Sequence, residues 1–228
     1  YVGKIFKSSN IFKNLKTYPV FIGANDKRNK FYSKKKARKI LKINQNEKII
    51  LFGAFDLSSE IKGGHLLIKA LKILNETISN NGVKKIRLIT IGKKNSFSFN
   101  LKKIRWTHLG VIASKEKLNL LYRAADVLVC PSLYCFGPHI VTEALLNDLP
   151  VVGYNLGVAQ DTVINNVNGY LVPKYNNKIF ARSIYKALYS KNERQTKLVN
   201  KIKSFCSSDY EVNTIISYSQ KDLDKKSI

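Results

Sequence analysis

The stretch "CPSLYCFGPHIVTEALLNDLPVVGYNLG", residues 130–157, decides how the chain folds. It completes "DVLVCPS" (126–132), a short apolar run stopped by Pro131, and passes through "HIVTEALLND" (139–148) to a second apolar run, "LPVVGY" (149–154). Short continuous apolar runs bounded by turn residues read as strands buried on both faces. The segment between them repeats its apolar residues at helical spacing. Between the first strand and the helix lies a polar turn punctuated by Gly137 and Pro138, and the helix carries one carboxylate, Glu143. Pro138 suits a helix start, because its missing N–H would have had no partner there.

The same alternation extends in both directions. Upstream are "EKIILFGAF" (47–55) as a strand, "GGHLLIKALKIL" (63–74) as a helix, "KIRLITIG" (85–92) and "IRWTHLG" (104–110) as strands, and "SKEKLNLLYRAA" (114–125) as a helix. Downstream, "GYLVP" (169–173) reads as a strand and "NKIFARSIYKALY" (177–189) as a helix, followed by two more helical stretches and a charged end. Strands alternating with helices of this length specify an α/β domain, a parallel sheet with helices on both faces of the Rossmann-like kind. Residues 20–41 read as a short strand, a polar turn and a basic helix entering that domain.

The 228 residues are 44% apolar, enough for one large core. No apolar run reaches the roughly 18 residues of a membrane span, and no signal peptide is visible, so a cytoplasmic protein is expected. The chain starts at Tyr1 and has no methionine, which suggests a piece of a longer protein. Cys130, Cys135 and Cys206 follow no CxxC spacing and have no clustered histidines; they read as reduced structural thiols, with no metal site. Forty Lys and Arg against 15 acids leave +25. Such a field attracts nucleic acid, anionic lipid or phosphorylated substrates. The excess is scattered lysine among many Asn and Ile, which biased codon composition alone can produce. Basic residues interleaved with aromatics on a compact motif are not found, so no specific nucleic-acid partner is expected.

In open α/β sheets ligands sit beyond the carboxyl ends of the strands, so the loops after each strand carry the chemistry. In "GAFDLSSEIKGG" (53–64), Gly53 and Ala54 permit close backbone approach, and Lys62 beside two glycines can meet a phosphate. Read alone, an ordinary polar loop explains this segment better, since it is neither a Walker sequence nor GxGxxG. In the opening stretch the helix starting near His139 aims free N–H groups at the space over the sheet, a natural diphosphate site. Glu143, one turn in, can accept hydrogen bonds from vicinal hydroxyls such as those of a ribose. It can equally be a first-turn glutamate favouring its own helix dipole, as His139 can be a plain exposed helix start. The third loop, "NLGVAQDTVINNVNGYLVP" (155–173), is turn chemistry or one wall of the same pocket.

Taken in order, these loops resemble the C-terminal, nucleotide-binding domain of retaining glycosyltransferases with the GT-B fold, in particular the group 1 (family 4) transferases. The resemblance runs from about Ile22 to Val172 and rests on "KGG", "PS", "TEALL", "PVV", "LGVAQD" and "NGYLVP" in that order. It implies transfer of a sugar, of the hexosyl type, from a nucleotide-diphosphate sugar to a glycan or lipid-linked saccharide, with no cofactor and no metal. Lys62 would hold the diphosphate and Glu143 the ribose, both counted as catalytic. Tyr134, Cys135, Phe136, Gly137, Pro138, His139 and Ile140 would face the phosphates and the sugar, and Leu109, Gly110 and Ile112 would border the base, with Gly53 and Ala54 beside them. Residues 1–20 would be the remnant of an N-terminal domain and linker, 21–205 the donor domain, and 206–228 a helix crossing back toward the absent half; the fragment alone would be inactive.

Two departures stand out. The family usually has a second carboxylate eight residues before the ribose glutamate or at the equivalent place after "PS", where this chain has Tyr134 and Cys135. The arginine that commonly accompanies the phosphate lysine is replaced by the neighbourhood of Ser58, Ser59 and Glu60. A degenerate, non-catalytic nucleotide-sugar-binding module and, further off, a basic nucleic-acid-binding domain are the rival readings. Peripheral contact with an anionic membrane is the simplest role for the basic surface.

Overall fold

The computed structural model describes residues 8–11, 18, 20, 21, 23, 24, 32–78, 85–134, 139–190 and 196–224. A basic helix α1 (Lys34–Ile40) is capped by Ser33, whose hydroxyl accepts from the Lys36 N–H. It leads into β1 (Lys48–Asp56), a single 3₁₀ turn (Glu60–Lys62), α2 (Gly64–Thr77), β2 (Ile86–Lys93) and β3 (Ile104–His108). Then follow α3 (Lys115–Ala124), β4 (Val127–Cys130), α4 (His139–Leu146), β5 (Val151–Tyr154), α5 (Gly157–Thr162) and β6 (Gly169–Val172). The helices α6 (Asn177–Tyr189), α7 (Thr196–Cys206) and α8 (Ser208–Asp224) close the chain.

The six strands pair in parallel in the order β3-β2-β1-β4-β5-β6. The continuous apolar runs follow from burial on both faces. In β1, Ile49 and Leu51 join one core layer with α1, α3 and α4, while Ile50 and Phe52 join the other with α2 and α6. Because side chains alternate across a strand, a run without polar gaps fills both layers. β2 lies on one side of β1 and β4 on the other, so the chain reverses its winding direction at β1 and leaves a crevice at the carboxyl ends of β1 and β4.

Two readings of the sequence change. The strand expected after residue 20 is a single bridge, Ala24 to Ser207, in which the Ala24 N–H donates to the Cys206 carbonyl (2.8 Å). One bridged residue cannot sustain a ladder, and the Phe21 ring instead rests on Phe205 at 4.3 Å. The polar turn read after it, at 25–31, lies outside the described residues. The loop 155–173 contains α5, whose six residues are too few to show an apolar period.

At the amino ends of the strands, buried Arg38 donates to the carbonyls of Ala124, Gln45 and Glu47 and to Asp126 Oδ2 (2.7 Å). Asp126 also accepts from the Ile49 N–H. Buried Glu47 pairs with Arg87 and Arg105. These charges are satisfied within the fold, away from the crevice. Cys130 and Cys206 are buried thiols outside any disulfide, and burial pushes Cys206 up to about 12, where it is inert.

Candidate functional site

The loop after β1 and the loop after β4 are fastened together. The Leu133 N–H donates to the Ile61 carbonyl at 2.8 Å. Gly63 takes a left-handed conformation (φ 70), and a Cβ there would fall on the Pro131 carbonyl oxygen. Only glycine meets both demands, so "KGG" is required by the backbone beneath it. The consequence is positional: Lys62 is delivered to the rim of the β1–β4 crevice.

That crevice is a cleft of about 380 Å³. Lys62, His139, Glu143 and Ser132 supply its polar wall, and Phe55, Ile91, Val111, Ile112 and Leu118 its apolar one. Lys62 is half-buried and has no carboxylate partner among the described residues. His139 opens α4 at the cleft, so the first-turn N–H groups, which have no partner within the helix, lie beside it. Lys62 and Glu143 are 81 residues apart in sequence (143 − 62) yet line one space.

Of the residues singled out in the sequence, Gly53, Ala54, Lys62, Ile112, His139, Ile140 and Glu143 line the cleft. Leu109 and Gly110 do not. The Leu109 N–H donates to the Thr90 carbonyl and the Gly110 carbonyl accepts from the Gly92 N–H, so this pair continues the β2–β3 pairing and hands the wall to Val111 and Ile112. Tyr134 also stands outside, 64% exposed, with the Lys174 Nζ 4.3 Å from its ring centre. Cys135, Phe136, Gly137 and Pro138 lie outside the described residues. Nothing in the 155–173 loop lines the cleft; α5 packs against β5 and α4. Gly53 serves packing more than access, since the space of its missing Cβ is taken by Ile140 and Ile91.

Glu143 is not the isolated pocket carboxylate that the sequence suggests. The phenol of Tyr122, from α3, donates to Glu143 Oε2 at 2.7 Å. Tyr122 is 3% exposed and has no other hydrogen-bond partner among the described residues, so this bond orients a carboxylate that lines the cleft. The sequence did carry a signal: a tyrosine on the apolar face of a helix needs a partner for its hydroxyl. Phe55 was missed as well. It is 73% exposed at the cleft mouth, with Lys93 Nζ 4.6 Å over its ring.

Burial and the adjacent Glu143 charge hold the Tyr122 phenol well above its ordinary value of 10.0. An unfolded chain releases that proton near pH 10, whereas the native state keeps it, so this contribution to stability is whole below about pH 10 and is lost as pH rises toward the folded value. Tyr122→Phe is therefore expected to flatten the alkaline fall in the urea midpoint above about pH 10. An unchanged slope would detach Tyr122 from Glu143.

The family model of glycosyl transferases group 1 matches residues 33–205. The chain belongs to this family. Among solved structures, this group 1 chain is similar to sucrose-phosphate synthase from Thermosynechococcus elongatus (TM-score 0.75, 23% identity, 97% of this chain and 57% of that one). It is similar also to a glycosyltransferase from Rickettsia africae (0.73, 17%, 97% and 61%) and to HepE of Anabaena in complex with UDP-glucose (0.65, 20%, 90% and 57%). At these identities the likeness is one of fold, and it is the C-terminal, Rossmann-like half of the GT-B architecture. The group 1 chain spans about three fifths of the length of these relatives. No curated protein matches it in sequence.

Proposed function

We propose that this chain is the donor-binding half of a retaining, hexosyl-type glycosyltransferase, which takes a nucleotide-diphosphate sugar as donor and a saccharide or lipid-linked saccharide as acceptor. The observation that carries the reading is the convergence on one cleft of Lys62, the start of α4 and the Glu143 carboxylate. A cation and N–H donors suit a diphosphate, and a carboxylate oxygen suits a vicinal diol. The apolar wall of Phe55, Ile91, Val111 and Ile112 suits a flat base. The UDP-glucose in HepE supports a nucleotide sugar as the ligand.

As the anomeric C–O bond breaks, negative charge grows on the diphosphate, and Lys62 with the α4 N–H groups stabilises it in place. That role requires no metal ion. The acceptor hydroxyl enters on the face the diphosphate leaves, which gives retention. The remaining acceptor-binding groups would lie on an N-terminal half, so the chain by itself would bind donor and transfer little. Cys135, in place of a usual carboxylate, favours a second reading, a binding module that no longer turns over. Transfer by the full-length protein separates the two.

A thermal-shift panel of nucleotide sugars tests the reading. A true donor at a hundred times its Kd stabilises the native state by about 2.7 kcal/mol. No shift with any nucleotide sugar or nucleoside diphosphate would overturn it.

Among the described residues no helix is long and apolar enough to cross a membrane. The +25 charge supports a cytoplasmic, peripheral position on anionic lipid, where each basic residue near the surface adds up to about 1 kcal/mol. Sedimentation with vesicles is expected to rise with their content of anionic lipid and to fall with salt; binding independent of lipid charge removes the membrane from this picture.

A further inference from the structure

The polar end of the cleft does not stop at Ser132. Two residues on, Tyr134 emerges from the β4 loop, and Lys174 reaches it from the loop after β6, across the end of β5. Two strand spacings are about 10 Å, so the Lys174–Tyr134 contact joins the loops on either side of β5. Lys174 Nζ sits 4.3 Å from the Tyr134 ring centre and 5.3 Å from that of Tyr175, and it has no carboxylate partner among the described residues. Tyr134 is 64% and Tyr175 57% exposed. Tyr175 also holds a left-handed backbone (φ 65), a conformation that a bulky aromatic adopts at a cost.

The chemistry of this cluster is specific. Exposed aromatic faces stack on the C–H faces of sugar rings, and a lysine held between two rings keeps its positive charge available to an anion. Its place also matters. The apolar wall lies on the β1–β3 side of the crevice, so a molecule with its base there and its diphosphate at Lys62 directs the transferred sugar toward β4, where Tyr134 begins.

We propose that Tyr134, Lys174 and Tyr175 form a subsite for a saccharide ring bearing an anionic substituent, carboxylate or phosphate, on the acceptor. Its assignment to the acceptor rests on the donor reading above; its ability to hold a sugar does not.

Titration of the full chain with cellobiose, cellobiouronic acid and phosphorylated cellobiose, read by saturation-transfer NMR and calorimetry, tests it. The anionic sugars are expected to bind about threefold to fivefold more tightly than cellobiose, and Lys174→Gln to erase that difference. Whichever anion shows the larger Lys174 dependence names the substituent. Tyr175→Asn, which tolerates the left-handed backbone, is expected to weaken all three about threefold to tenfold, and Tyr175→Phe to retain them. Nucleoside diphosphate affinity stays unchanged in all of these variants. Absent disaccharide binding, or binding indifferent to Lys174 and Tyr175, overturns the subsite. If the sugars behave as expected while Lys62→Ala leaves nucleoside diphosphate binding intact, the donor reading falls and the saccharide subsite stands.

Discussion

Glu143→Gln is expected to weaken ribonucleoside diphosphate binding by one to two orders of magnitude, as follows from about 1.5 to 3 kcal/mol for a charge-assisted pair. The reason lies in Tyr122. Its buried phenol has Glu143 as its hydrogen-bond acceptor, so a glutamine keeps that bond only by turning its single carbonyl oxygen to Tyr122. The amide NH₂ is then left facing the cleft, where a vicinal diol needs an acceptor. Both the charge and the usable acceptor are lost together. A dideoxy analogue lacking both ribose hydroxyls, bound more weakly to begin with, is expected to change little. Stability moves by less than about 1 kcal/mol, because the phenol keeps a partner. Glu143→Ala behaves differently: it strands the buried hydroxyl, at a cost of about 1 to 3 kcal/mol. Calorimetric titration of both nucleotides, with urea unfolding alongside, reads every term. Equal losses for the ribo and dideoxy ligands would make Glu143 a structural residue.

Lys62→Ala is expected to lower affinity for a nucleoside diphosphate about tenfold to a hundredfold and to leave the parent nucleoside nearly unaffected. The selectivity follows from placement. The lysine stands on the rim held by Gly63 against Pro131, at the polar end of the cleft, and in the proposed donor site the base and ribose would meet other residues. No carboxylate among the described residues holds its ammonium group, so removal leaves no anion unpaired and stability is expected to stay within about 0.5 kcal/mol of the parent. Raising the salt concentration should weaken diphosphate binding more in the parent than in the variant. The same loss for nucleoside and diphosphate would remove Lys62 from the phosphates.

Local patterns in the sequence determined the elements. Uninterrupted runs such as "KIILF" and "VLVC" are strands because each strand buries both faces, and "HLLIKALKIL" is a helix because one stripe alone meets the sheet. Those periods are properties of a few neighbouring residues, and so they survive in the linear text. The ordered motifs "KGG", "PS" and "TEALL" also pointed to the family, since each is a short local pattern that follows a strand. What the tertiary structure alone decided is which residues meet. Strand order brings the β1 and β4 loops to one crevice, and a left-handed Gly63 on Pro131 sets the height of Lys62. The Tyr122 phenol, 21 residues from Glu143, aims its carboxylate, and Lys174 meets the ring of Tyr134 outside the cleft. Side-chain direction depends on partners distant in sequence, each chosen by packing and by the demand that buried polar groups be paired. No local period records that choice.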